Sequence, residues 1–106
     1  MNQERIQKLK VFLEDSPEDP FLLYALANEY KTLDVEKAKY YYDKLLMDHP
    51  TYLGTYYHAA ALYAENIDRV KAERIYLKGI ELAKQQSENN ALRELENAYL
   101  NFQFDE

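Results

Sequence analysis

Residues 20–50, PFLLYALANEYKTLDVEKAKYYYDKLLMDHP, are rephrased at 53–85 as LGTYYHAAALYAENIDRVKAERIYLKGIELAKQ. Leu26, Ala27 and Tyr30 recur as Ala59, Ala60 and Tyr63, and Ala38, Tyr42 and Leu46 recur as Ala72, Tyr76 and Ile80. A period in the thirties, carried by apolar residues three and four apart, is the pattern of helical hairpins stacked in series. The step from Tyr30 to Tyr63 in the first helices is one position shorter than the step from Tyr42 to Tyr76 in the second, so the first turn is one residue shorter than the second.

The turn chemistry brackets each helix. Asp19 is placed to cap a helix that starts at Pro20, where the missing amide hydrogen costs least, and runs to about Lys31. Thr32 and Leu33 make a short turn, Asp34 caps the next helix, and Pro50 closes it. The cycle restarts near Thr51, turns at Glu65 to Ile67, and re-enters at Asp68 for a helix to about Lys84. Outside the repeats, Ile6, Leu9, Phe12 and Leu13 form one apolar stripe ended at Ser16-Pro17, and Leu92, Leu95, Tyr99 and Phe102 form another after Ser87. The reading is an all-α chain of about six helices, a single domain over 1–106: a half-repeat helix at 2–16, repeats at 20–50 and 53–85, and a capping helix at 88–103.

These residues resemble the tetratricopeptide repeat, a helix-turn-helix unit of about 34 residues. The first full repeat matches through Leu23, Leu26, Ala27, Tyr30, Ala38, Tyr42 and Pro50, the second through Tyr56, Ala59, Ala60, Tyr63, Ala72, Tyr76 and Gly79. Leu9, Phe12, Leu13 and Pro17 precede Tyr42, Leu45, Leu46 and Pro50 by the same single interval, so the N-terminal helix reads as the second half of a preceding repeat. The chain departs from the family pattern at the large first-helix position, which lacks Trp, and at Leu45, Lys84 and Glu96. The resemblance implies a right-handed α-solenoid of antiparallel hairpins, in which small residues let helices approach and tyrosines fill the wedges.

It also implies a protein-protein interaction module, an adaptor or scaffold whose first helices line a concave groove for a peptide or helix of a partner. Placed on this sequence, that face shows Phe21, Tyr24, Asn28 and Lys31, then Tyr57, Ala61, Ala64 and Glu65, extended by Arg93, Asn97 and Leu100. Tyr24, Asn28, Lys31, Tyr57, Ala61, Arg93 and Asn97 are the expected partner-binding residues, with aromatic rings stacking on the guest and amides bonding its backbone. The opposing expectation for Tyr24 and Tyr57 is plain packing against a neighbouring helix. Tyr24 holds the place of the leading Lys in the family's carboxylate clamps, which argues against a receptor for chaperone tails. The last helix can instead fold back over this face and leave the convex side as the contact surface.

An alternative function is a structural homo-oligomer joined through exposed repeat ends, where Phe102 and Phe104 offer an apolar handle, or through convex aromatics. In the run Tyr40, Tyr41, Tyr42 only Tyr42 and part of Tyr41 can face the core, leaving Tyr40 exposed.

The rest of the composition removes function classes. Nineteen acidic against thirteen basic residues leave a net charge of -6, the wrong field for a nucleic-acid backbone. There is no cysteine, and His49 and His58 are not at metal-ligand spacing, so neither a cofactor nor a metal site is expected. The only serines, Ser16 and Ser87, lie at helix boundaries, no Gly-rich phosphate loop exists, and Glu14 with Asp15 or Asp105 with Glu106 read as solvated carboxylates, so the chain is not read as an enzyme. Met1 to Lys10 holds no apolar run that would make a leader or a membrane span, and a cytoplasmic setting is the default.

Overall fold

The computed structural model describes residues 2–66 and 68–105; the expectations placed on Ile67 and Glu106 lie outside the described residues. Six helices occur among them, α1 (Asn2–Asp15), α2 (Pro20–Tyr30), α3 (Val35–Asp48), α4 (Gly54–Glu65), α5 (Arg69–Gln85) and α6 (Asn89–Phe104). They form two compact units, the first ending at Tyr52 and the second starting at Leu53. Most helix ends lie within a residue or two of the positions read from the sequence, while α4 starts at Gly54, three residues past Thr51.

In the first unit, α2 packs between α1 and α3. Asp19 accepts the Phe21 N–H at 2.9 Å and Pro20 takes the first turn, so the entry to α2 is capped as its sequence predicts. Asp34 repeats the device on the Lys37 N–H of α3 at 3.3 Å. The turn between them is closed by the Asp34 N–H on the Tyr30 carbonyl at 2.7 Å, which turns α3 back against α2. Leu23, Leu26, Ala27, Ala38, Tyr42 and Leu45 make up the core, each at or near zero exposure. The Tyr30 and Tyr41 rings stack nearly parallel at 6.0 Å, and the Tyr42 hydroxyl donates to Asn28 Oδ1. Burial pushes the Tyr42 hydroxyl well above the usual tyrosine range.

Among the described residues, α1 has α2 as its one neighbouring helix, and a helix with one neighbour buries one narrow stripe. Ile6 and Leu9 fill it, with Leu13 half-buried beside them. Phe12, expected on the same stripe, is 61% exposed. Its repeat counterpart Leu45 is fully buried in α3, so repeat register alone does not supply a partner surface. Arg5 secures α1 to α2 through Glu29 at 2.9 Å.

In the second unit, α4, α5 and α6 pack on one another. Asp68 caps α5 through the Lys71 N–H, and Asn66 ends α4 by donating its side-chain amide to the Leu62 carbonyl at 2.8 Å. The α5 helix ends in a left-handed turn: Ser87 has φ 57°, its N–H reaches the Lys84 carbonyl, and the Glu88 N–H reaches that of Ala83 at 3.0 Å. The chain thereby reverses into α6, which rests on α5 through Leu95, Tyr99 and Phe102. Arg69 stacks over the Phe102 ring at 4.1 Å and donates to its carbonyl at 2.8 Å. The Tyr99 hydroxyl donates to Glu73 at 2.8 Å.

Candidate functional site

In each unit, the face of the first helix that does not enter the core is a candidate site. On α2 the four-residue spacing of Tyr24 and Asn28 puts them one turn apart on the same side, with Phe21 a turn earlier. Phe21 is 54% exposed, while Tyr24 is half-buried with its ring 5.6 Å from that of Tyr52 and tilted by 60°. Tyr52 sits in the turn after α3, and burial followed by the proximity of Tyr24 and Asp19 raises its hydroxyl above the ordinary tyrosine value. Part of the packing expectation for Tyr24 is therefore met within its own unit. The sequence marks Tyr52 as a turn residue but carries no signal for this pairing, since the whole of α3 intervenes and no helical periodicity links the two rings.

Asn28 faces two ways. Its carbonyl oxygen accepts from Tyr42, and its side-chain amide hydrogens are the donors it can offer a ligand. Lys31 follows α2 as its C-cap residue and is half-buried. The α2 face thus offers an exposed phenyl ring, a tyrosine edge, an amide and an ammonium stem along one side of one helix.

On α4, Tyr56 and Tyr57 point to different sides, as adjacent helical residues must. Tyr56 enters the core, and burial raises its hydroxyl above the ordinary value. Tyr57 is 41% exposed, in edge contact with the half-buried His58 at 5.4 Å. Ala61, one turn on, is half-buried and leaves room beside the Tyr57 ring. On α6, Arg93 and Asn97 are both exposed, and Arg93 reaches Asn90 of its own helix at 3.4 Å. Packed on α5, α6 leaves Tyr57 exposed, so the α4 face is not converted into a core by the last helix. Glu96, at the position where the repeat pattern expects a small residue, is solvent-exposed.

Rings, small residues and amides of this kind hold side chains by stacking and peptide groups by hydrogen bonds. Among the described residues no three His, Asp or Glu side chains stand close enough to hold a metal ion, and no helix is long and apolar enough to cross a membrane.

No protein-family model and no curated protein sequence matches the chain. Solved structures do. The crystal structure of a tetratricopeptide repeat domain protein from Salinibacter ruber is 37% identical, with a TM-score of 0.79 over 84% of this chain and 100% of that one. A solution NMR structure of a tetratricopeptide repeat domain protein from the same organism is 40% identical, with a TM-score of 0.77 over 85% of this chain and 92% of that one. Such domains are generally protein-protein interaction modules and typically lack catalysis of their own. With that identity over the full length of the crystallised relative, and with six helices in the same hairpin order, the chain belongs to the tetratricopeptide repeat family.

Proposed function

We propose that this chain is an adaptor that holds a peptide or helix of another protein against the outward residues of its first helices. The first unit offers Phe21, Tyr24, Asn28 and Lys31 on the α2 side to a guest, and the second unit offers Tyr57 and Ala61 on α4 with Arg93 and Asn97 on α6. The observation that carries this reading is the pair of rings that the first helices leave in solvent, Phe21 on α2 at 54% and Tyr57 on α4 at 41% exposure, while Tyr30, Tyr56 and Tyr63 of the same helices are buried. A large ring left exposed beside small residues is the make-up of a hot spot. The family relation supports a protein guest, and the near absence of charge on the outward side of α4 supports one recognised by stacking and backbone hydrogen bonds.

The experiment is affinity capture from the native extract with the wild-type chain, followed by titration calorimetry on the recovered partner. Tyr57→Ala and Phe21→Ala are expected to weaken that partner's binding by about 1–2 kcal/mol each, the range of interface aromatics, with unchanged helical circular dichroism. Binding that survives both substitutions at full strength refutes the assignment of this face.

A further inference from the structure

The outer faces of the two second helices are a matched pair. On α3, Glu36, Tyr40, Asp43 and Met47 follow one another in steps of four, three and four, which places them along a single stripe. On α5, Val70, Arg74, Leu77 and Glu81 follow in the same steps, flanked by Lys78 and Lys84. Both stripes carry large apolar side chains in solvent: Tyr40 is 62% and Met47 80% exposed, Val70 71% and Leu77 48%.

Their charges are opposite. Two of the three lysines of α3 are engaged at the edges of its stripe, Lys37 over the Tyr30 ring at 5.3 Å and Lys44 between Glu18 and Asp48 at 3.0 Å each, so Glu36 and Asp43 share only Lys39 and the stripe keeps a net negative charge. Glu36 has a long contact with Lys39 at 3.6 Å and keeps its side chain 85% exposed. On α5, Arg74, Lys78 and Lys84 are exposed and, among the described residues, none of the three is held in a salt bridge. Glu73, the other acid on that side, is turned to the Tyr99 hydroxyl. A shallow hollow of about 540 Å³ lies along this face, lined by Arg74, Leu77, Lys78, Ile80, Glu81 and Lys84.

We infer that the chain associates with a second copy of itself, the α3 stripe of one copy packing antiparallel on the α5 stripe of the other. In that register Tyr40 meets Leu77, Met47 meets Val70, Asp43 meets Arg74, and Glu36 falls opposite Glu81 between Lys78 and Lys84. The steps of four and three are those of a helix-helix seam, so all four levels engage together. Every copy carries both stripes, and the contact therefore closes as a two-fold pair with two seams or repeats head to tail. A seam between two helices is small against a standard interface, which makes the association weak and dependent on concentration. The inference does not rest on the first-helix reading above, because none of these residues belongs to that face.

Sedimentation equilibrium of the full chain from low to high micromolar concentration tests it. The wild-type chain is expected to gain mass with concentration, and Arg74→Glu with Lys78→Glu to weaken association about tenfold or more, as like charges across a seam do. Glu36→Lys with Asp43→Lys is expected to do the same. An equimolar mixture of the two double variants should associate again, because the reversed α3 of one then faces the reversed α5 of the other. If the variant carrying Asp43→Lys loses its circular dichroism, Glu36→Lys alone, at a largely solvated side chain, takes its place in the mixture. Tyr57→Ala should associate like wild type, which separates this contact from partner capture. A strict monomer at every concentration, or association indifferent to these reversals, overturns the inference.

Discussion

Gly79 lies so close to Tyr56 that a Cβ at position 79 would sit 2.6 Å from the Tyr56 Cβ and 3.1 Å from its Cγ. The contact joins α5 to α4 at the root of an aromatic side chain, which cannot swing away without moving its helix. Gly79→Ala is expected to destabilise the second unit despite the better helix propensity of alanine, by about 1–3 kcal/mol as overpacking does. Thermal unfolding followed by far-ultraviolet circular dichroism measures it; an alanine variant as stable as wild type would mean that the two helices are not this close.

The bond from Tyr42 to Asn28 gives a second prediction. Tyr42→Phe removes the donor and should cost about 0.5–1.5 kcal/mol, the net worth of one hydrogen bond. Asn28→Ala is expected to cost more, about 1–3 kcal/mol, because it strands a hydroxyl on a ring with no solvent exposure. Urea unfolding of the two single variants and the double variant closes the cycle, and purely additive losses would show that the two groups do not interact.

At the end of α5, Ser87 holds a left-handed backbone that glycine adopts without steric cost. Ser87→Gly is therefore expected to stabilise the chain by about 1 kcal/mol, read as a rise in the urea midpoint at unchanged slope. No change would indicate that solvent and neighbouring side chains already relieve the serine.

These three sites mark where reading the sequence succeeds and where it stops. The aspartates at 19, 34 and 68 announce helix starts because a cap needs only residues two or three places away, and all three bond as their positions imply. The alternation of small and large residues announces the hairpins for the same local reason. Gly79 is legible as a small packing position, but its distance from Tyr56 depends on two helices meeting. Ser87 reads as a boundary residue, yet nothing in the residue type signals a positive φ. On the candidate face, Tyr57 and Phe21 can be placed from periodicity alone, whereas the diversion of Asn28 toward Tyr42 and of Tyr24 toward Tyr52 requires side-chain geometry.

The turn between α1 and α2 carries a pH-dependent tie. Glu18 is bonded by Lys44 at 3.0 Å and faces His49 Nε2 at 3.3 Å. The Lys44 bond holds the Glu18 carboxyl below its usual range, and the bonds from Glu18 and Asp48 hold the Lys44 ammonium above its own. A depressed carboxyl contributes stability that is full above its unfolded value, about 4.3, and is lost as pH falls through the lower folded value. A raised ammonium contributes stability that is full below about 10.4 and is lost as pH rises through the higher folded value. Both groups are exposed, so the effect is small, and Glu18→Gln should flatten the acid side of the stability profile measured by urea midpoint against pH. A variant whose acid limb matches wild type would remove Glu18 from the acid response.

Phe12 and Leu45 occupy the same place in the repeat with opposite burial, and this makes them a test of what holds each helix. Leu45→Ala empties a site with no solvent exposure and is expected to cost about 2–5 kcal/mol. Phe12→Ala removes a ring that is already mostly hydrated, and its cost should stay within about 0.5 kcal/mol, as at other surface positions. Parallel urea titrations of the two variants give the comparison directly. Comparable losses would mean that the N-terminal helix gains a second packing surface in solution, and Phe12 would then belong to the core that its spacing suggests.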